Sequence, residues 1–324
     1  MACTGYGPPG RLQIRQIDQP RPGAGEVLIG VQATTVNRTD CAALRGKPWF
    51  ARAVTGLTRP KHQVLGTEFA GRIEAVGADV TEPSVCDDVF GCSEATFGAH
   101  AEYLVVAASG PLATTPPGVA LAEVAATTEG AHDALSCLDT VDVGSGAVVL
   151  VYGATGAIGT AAVQLLKHRG VTVTAVCDAR GVDLAASLGA DAVIDYTSED
   201  FTQTDVRFDA VLDAVGKSTF ARCRPLLKRG ASYLTTDLGR RAQNLALIPL
   251  TRWIGDHRVR LPVPTNARAT AASASSGRCT GPTATSSSTT TTWRPPTPTS
   301  PNSSTKSNAI PPASSGDSTL HRRW

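Results

Sequence analysis

The chain has 324 residues, of which 42% are apolar and 18% charged, with a formal net charge of +2. That is enough chain for two domains with sizeable cores, and a balance that argues against nucleic-acid binding along the whole length. No apolar run reaches the roughly 18 residues of a membrane helix, and the opening MACTGYGPPG lacks a charged-then-apolar signal pattern. Eight scattered cysteines (Cys3, Cys41, Cys86, Cys92, Cys137, Cys177, Cys223, Cys279) form no CxxC pair. Reduced thiols acting as small core hydrophobes are expected, in a cytoplasmic protein.

Strands are predicted over 26–36 (EVLIGVQATTV), 69–76 (FAGRIEAV) and 103–107 (YLVVA), with glycine and proline between them. The opening ten residues offer no apolar first strand. No long helix is expected before residue 121, so residues 1–118 read as a β-rich domain. The pattern then changes. Residues 121–138 carry Ala and Leu at helical spacing. Strands follow at 147–152, 171–177, 192–195, 208–214, 232–236 and 257–262. Helices are expected at 160–169, 182–188, 218–227 and 245–255. This alternation specifies βαβ units and a parallel sheet over residues 119–265, and the fold class is α/β. From Thr270 to Trp324, 32 of 55 residues are Ser, Thr or Pro, and residues 266–324 hold six basic residues against one acid. Such a segment lacks the apolar area to offset its ordering entropy and is expected to be disordered.

The most informative stretch is VVLVYGATGAIGTAAVQLLKHRG (148–170). A strand ends at Tyr152, a helix starts near Gly159, and Gly153, Gly156 and Gly159 lie between, spaced by three. Glycines there allow a tight turn and close backbone approach, and the helix N-terminus offers unpaired amides and a positive dipole end to a pyrophosphate. A bare glycine triplet also fits a tight strand-to-helix turn in any α/β protein, but a second strand follows here and ends in a polar residue. Asp178, 19 residues beyond Gly159, suits a ribose 2′-hydroxyl, and Arg180 suits a 2′-phosphate. Either is equally readable as solvated loop charge.

The chain resembles the medium-chain dehydrogenase/reductase superfamily, and in particular its zinc-free quinone (or alkene) oxidoreductase branch. The resemblance rests on EVLIGVQATTVNRTDC (26–41), VLGTEFAGRIEAVGADV (64–80), GAHAEYLVV (98–106), VLVYGATGAIGTAAVQLLK (149–167), SLGADAVIDYTSEDF (187–201), FDAVLDAVG (208–216) and LLKRGASYLTTDLG (226–239), in family order. It implies a GroES-like catalytic domain over 1–118 beside a Rossmann doubly wound domain over 119–265, with the active cleft between them. It also implies hydrogen-bond donors Asn37, Thr39 and Thr128 around the nicotinamide. Arg38 is implied at a cofactor phosphate, and Gly153, Thr155, Gly156, Ala157, Ile158 and Gly159 as the phosphate turn. Cys177, Asp178 and Arg180 are implied beside the ribose, with Tyr196, Val215, Gly216 and Thr235 lining the groove. Local roles compete for the three donors: a turn for Asn37, a helix cap for Thr39, and a bond to its own helix for Thr128. Asp40 and Glu68 are expected to orient neighbours.

Where zinc alcohol dehydrogenases of the same superfamily carry Cys, His and Cys ligands, this chain has Asn37, Thr67 and Thr128, and only Cys86 and Cys92 lie where a four-cysteine structural lobe would be. Both zinc sites are therefore expected to be absent. The resemblance implies an NAD(P)H-dependent, zinc-independent enzyme passing hydride to a quinone or α,β-unsaturated carbonyl, with NADP as cofactor and NAD as the second choice. An alcohol or carbonyl dehydrogenase, or an inert dinucleotide binder, are the alternatives. The expected partner is the small-molecule substrate, with no nucleic acid or membrane, and a homodimer through the Rossmann edge strand. His62, His100, His132 and His168 stand alone in sequence and read as surface or packing residues. Trp49 and Phe50 read as a loop plug. The resemblance stops at the Ser/Thr/Pro tail. A frameshift is one account of it: with G at the third codon positions, residues 288–296 read one frame over give Asp-Asp-Asp-Asp-Val-Glu-Ala. Resequencing the gene checks this, and codons without that G would remove the account.

Overall fold

The structure, a computed structural model, describes residues 1–49, 52–94, 96–239 and 242–262, with the backbone of 289–292. Phe50 and the rest of the expected disordered tail lie outside the described residues. A short hairpin-like pair opens the chain, β1 (Ala2–Cys3) against β2 (Leu12–Gln13). The opening residues thus do form a strand, and Cys3 is buried with Leu44 and Leu65. There follow β3 (Glu26–Val36), α1 (Arg38–Arg45), α2 (Arg52–Thr55), β4 (Glu68–Val76), β5 (Asp88–Cys92), β6 (Tyr103–Ala107) and β7 (Leu112–Thr114). These strands pair antiparallel in the order β3-β4-β5-β7, with β6 on the other side of β3. Val27, Ile29, Phe69, Ile73 and Val89 fill one face, as alternating apolar positions require.

One stretch of the tail departs from the expected disorder. Strand β14 (Thr289–Thr292) pairs antiparallel with Ala33–Val36 of β3. β6 pairs only with Glu26–Gly30, so it leaves that stretch of β3 available, and four consecutive β-branched threonines suit a strand.

The second half holds α3 (Leu121–Ala125), α4 (Thr128–Leu138), β8 (Val148–Tyr152), α5 (Ala157–His168), β9 (Thr172–Cys177), α6 (Val182–Ser187) and β10 (Ala192–Asp195). It continues with β11 (Phe208–Asp213), α7 (Phe220–Cys223), β12 (Leu227–Thr235), α8 (Gln243–Trp253) and β13 (Arg258–Arg260). The six strands are parallel, in the order β10-β9-β8-β11-β12-β13. Numbered from β8, this is 3-2-1-4-5-6, the doubly wound dinucleotide-binding order. Val149, Val151, Val173 and Leu212 pack one face, and Leu150, Val176, Val211 and Tyr233 the other, which explains the continuous apolar strand sequences.

Two helices differ from expectation for local reasons. The 121–138 helix is split, because Thr127 and Thr128 both donate their hydroxyls to the Val124 carbonyl and compete with the helical ladder there. The 218–227 helix shrinks to one α turn and a 3₁₀ turn, Arg224–Leu226, at Pro225, whose missing amide cannot continue the α ladder. Trp49 is 79% exposed. No helix among the described residues is long and apolar enough to cross a membrane.

Candidate active site

In the 3-2-1-4-5-6 order the strand sequence reverses at β8 and β11, so the connections after these two paired strands leave toward opposite faces of the sheet and open a crevice at their C-terminal ends. The loop after β8 holds the glycine turn. Gly153 has φ +81°, and a Cβ there would lie 2.6 Å from Val215 Cγ1 in the loop after β11. A Cβ on Gly159 would lie 2.1 Å from the Gly153 carbonyl oxygen, so only glycine lets α5 start this close to the turn. Gly156 differs. It is the N-cap of α5 with φ −80°, its Cβ direction meets nothing nearer than 3.6 Å, and no side chain caps the helix. The first amides of α5, from Ala157 and Ile158 onward, are thus left for an anion approaching over Gly156.

The neighbouring loops converge on this turn. A Cβ on Gly181 would lie 2.5 Å from Thr155 Cγ2. Cys177 is buried at the end of β9, followed by Asp178, which pairs with Arg180 at 2.8 Å. Arg180 is 91% exposed at its side chain. Tyr196, after β10, lies 6.1 Å ring to ring from Tyr152 at the end of β8. The Val215–Gly216 loop is shaped by Asp213, a residue missed in the sequence. Its buried carboxylate accepts from the backbone N–H of Val215, Lys217 and Ser218 and from the Tyr233 hydroxyl. Thr235, buried at the end of β12, accepts from the Asp237 amide. The glycine turn and the stretches carrying Cys177–Arg180, Tyr196, Val215–Gly216 and Thr235 therefore lie at the C-terminal edge of the parallel sheet. A helix N-terminus that no side chain caps and a cradle that a Cβ would block are features a dinucleotide fits. Arg38 is exposed at the first position of α1.

The candidate donors sit in a second, polar cluster. Asn37 caps α1 in a capping box with Asp40. Its amide donates to Thr67 Oγ1 at 2.7 Å and to Glu129 Oε2 at 2.6 Å. Thr39 Oγ1 donates to Glu129 Oε1 and Thr67 Oγ1 to Glu129 Oε2, both at 2.6 Å. Glu68 accepts from the Glu129 amide at 2.8 Å and from the Thr35 hydroxyl. Thr128 takes the local alternative and bonds the Val124 carbonyl, so the structure brings Glu129, not Thr128, to Asn37 and Thr39. Thr128 and Glu129 are neighbours on α4, and one residue is 100° of helix, so only one of the two side chains faces Asn37 and Thr39. The cluster adjoins the phosphate helix: a Cβ on Gly130 would lie 2.7 Å from the Ala157 carbonyl oxygen.

Two buried carboxyls side by side cannot both ionise cheaply. Burial, then the neighbouring Glu129, raises Glu68 to about 7. Burial raises Glu129 too, against hydrogen bonds from Thr39 and Thr67. The cluster thus holds a proton near neutral pH. Its donors are an amide, hydroxyls and carboxyls, which do not fit the thiolate and imidazole set of a catalytic zinc. Asp40 orients neighbours: it accepts from the amides of Gly66 and Asn37. His100, expected to stand alone, lies 3.7 Å from Asp40 and bonds the Thr35 carbonyl at 2.8 Å. His132, also expected to stand alone, meets Cys92 and Glu94. These pairings join residues far apart in sequence, so spacing gave no signal of them. The seven described cysteines are free thiols, and five are buried.

An open parallel sheet of this order, with a glycine-cradled helix N-terminus at its reversal point, beside an antiparallel sheet, defines a two-sheet α/β chain whose second half has the dinucleotide-binding fold. The comparisons agree. Residues 23–117 match the alcohol dehydrogenase GroES-like domain and residues 157–259 the zinc-binding dehydrogenase domain. The chain is 30% identical over 251 residues to quinone-oxidoreductase QR1, chloroplastic, of Triphysaria versicolor, covering 71% of each chain. It is 30% identical over 241 residues to the 2-methylene-furan-3-one reductase of Solanum lycopersicum, covering 71% of this chain and 60% of that one. A mycobacterial protein solved with NADPH superposes with TM-score 0.66 at 27% identity over 84% of each chain. The chain belongs to the medium-chain dehydrogenase/reductase superfamily, in its quinone oxidoreductase-like branch. It spans 52–60% of the length of the furanone reductase and of four other curated relatives it matches.

Proposed function

We propose that the chain is an NADP-linked, zinc-independent enzyme that reduces a quinone or an α,β-unsaturated carbonyl. In this reading residues 1–118 form the catalytic domain and 119–265 the dinucleotide domain of a cytoplasmic protein that works as a homodimer. The observation that carries it is the uncapped α5 N-terminus over Gly156 at the sheet's reversal point. A reduced nicotinamide bound there supplies the hydride. Similarity to a 2-methylene-furan-3-one reductase and a quinone oxidoreductase supports an acceptor that is already electron-poor. Such an acceptor needs no Lewis acid; its developing oxyanion needs a hydrogen-bond donor and a proton. Asn37 and Thr39 are the donors. Glu129 holds one proton on its carboxyl; Thr39 Oγ1, bonded to Glu129 Oε1, gives its own hydroxyl proton to the developing oxyanion and takes the Glu129 proton in its place, leaving the carboxylate. One hydride and one proton balance the reduction of an enone C=C bond, or of a quinone to its hydroquinone.

Turnover with a panel of acceptors tests this reading. Oxidation of NADPH that depends on quinone or enone supports it. Activity with simple alcohols alone would make the chain an alcohol dehydrogenase, and binding without turnover would make it an inert dinucleotide binder. NADP preference rests on Arg180, whose exposed guanidinium neutralises Asp178 and is free to turn to a 2′-phosphate. Arg180→Ser is expected to raise the KM for NADPH about tenfold, the loss of roughly one charge-assisted contact, with the KM for NADH unchanged or lower. Equal shifts for both cofactors would remove Arg180 from this role.

A further inference from the structure

We propose that Cys92, Glu94 and His132 form a binding site for one zinc-like divalent metal ion, separate from the Asn37–Thr67–Glu129 cluster and clamping the antiparallel half of the molecule to the parallel half. Cys92 is the last residue of β5, Glu94 sits in the turn that follows, and His132 lies on the second turn of α4. β5 belongs to the antiparallel sheet, whereas α4 packs on α5 of the dinucleotide half. The turn is held by Ser93, whose amide donates to the Thr67 carbonyl and whose hydroxyl donates to the Phe97 carbonyl. The site is thus built on fixed backbone.

The spacing is what coordination requires. Cys92 Sγ lies 3.6 Å from His132 Nδ1, and the same nitrogen lies 3.4 Å from Glu94 Oε1. All three donor atoms fall within 4.8 Å of one another. A tetrahedral zinc at its usual bond lengths sets about 3.5 Å between sulfur and nitrogen and about 3.3 Å between nitrogen and oxygen. An ion therefore fits between these atoms with small side-chain movement. The donor types, thiolate, imidazole and carboxylate, are those zinc and cobalt take. Cys92 and His132 are 2% and 4% exposed, while the Glu94 side chain is 32% exposed. The carboxylate side thus gives an entry path and room for water as fourth ligand.

The test is cobalt(II) titration of the full chain after treatment with chelator. One equivalent is expected to bind with a thiolate-to-cobalt charge-transfer band, and zinc should displace it. Cys92→Ser is expected to abolish the band. His132→Gln and Glu94→Gln should each weaken binding more than about tenfold. Glu94, in a partly exposed turn, is the variant least able to disturb folding. Cys86→Ser, at the exposed thiol, should keep the band. Absence of any thiolate band in the wild-type chain, or a band unchanged in Cys92→Ser, overturns the site. Because the readout is metal binding rather than turnover, it stands or falls independently of the proposed reaction.

Discussion

Gly156→Asp is expected to abolish dinucleotide binding while leaving the fold intact or slightly firmer. At φ −80° and ψ 170°, any residue is allowed at position 156, and its Cβ would meet nothing nearer than 3.6 Å. Aspartate is also a favoured N-cap, so it should satisfy the amides at the start of α5 and add about 1 kcal/mol to stability. Those same amides are the ones a pyrophosphate needs, and the new carboxylate would face two phosphate charges at a few ångströms. Two unit charges about 4 Å apart near a protein surface repel by up to about 4 kcal/mol, so affinity for NADPH and NADH alike should fall at least about a hundredfold. Thermal unfolding and cofactor titration read the two effects separately. A variant that binds as tightly as the wild type would move the phosphate seat away from α5.

Glu68→Gln is expected to flatten the pH dependence of stability between about pH 4.5 and 7. The folded chain raises the Glu68 carboxyl from 4.5 to about 7. Over that window the folded state keeps a proton that the unfolded chain has released. The stability this gives is complete below pH 4.5 and is lost as pH rises through 7. The linkage is worth at most about 3 kcal/mol for a fully buried group. Glutamine cannot titrate and still accepts from the Glu129 amide, so the variant should lose only the Glu68 share of the slope. Glu129, raised in the same direction, keeps the rest. Denaturant unfolding at a series of pH values, with chelator present, measures both slopes. Identical slopes would mean that Glu68 is ionised in the folded chain.

The parallel half was the more legible part of the fold. Short β-branched runs such as Val148–Tyr152 and Phe208–Asp213 are covered on both faces, so their composition reports their burial directly. The glycine turn was legible because close approach leaves no alternative residue at Gly153 and Gly159. The polar cluster was only half visible. Asn37 and Thr39 stand in a readable capping segment, but their partner Glu129 is set by how α4 is rotated against α1, and that rotation depends on the break at Thr127 and Thr128. Asp213 looked like the end of a strand; three of its contacts lie in the loop that follows it, and the fourth, from Tyr233, exists only once β12 lies beside β11. Cys92, Glu94 and His132 lie 40 residues apart at their extremes and on different elements, so no local period joins them.

Titration of the wild-type chain with NADPH and NADH, followed by fluorescence, tests the central claim most directly. The account predicts saturable binding of one nucleotide per chain with a Kd of about 1–100 μM, within the usual range for cofactor and substrate affinities, and competition by pyrophosphate. A chain that binds neither nucleotide at millimolar concentration, while unfolding cooperatively, would contradict it.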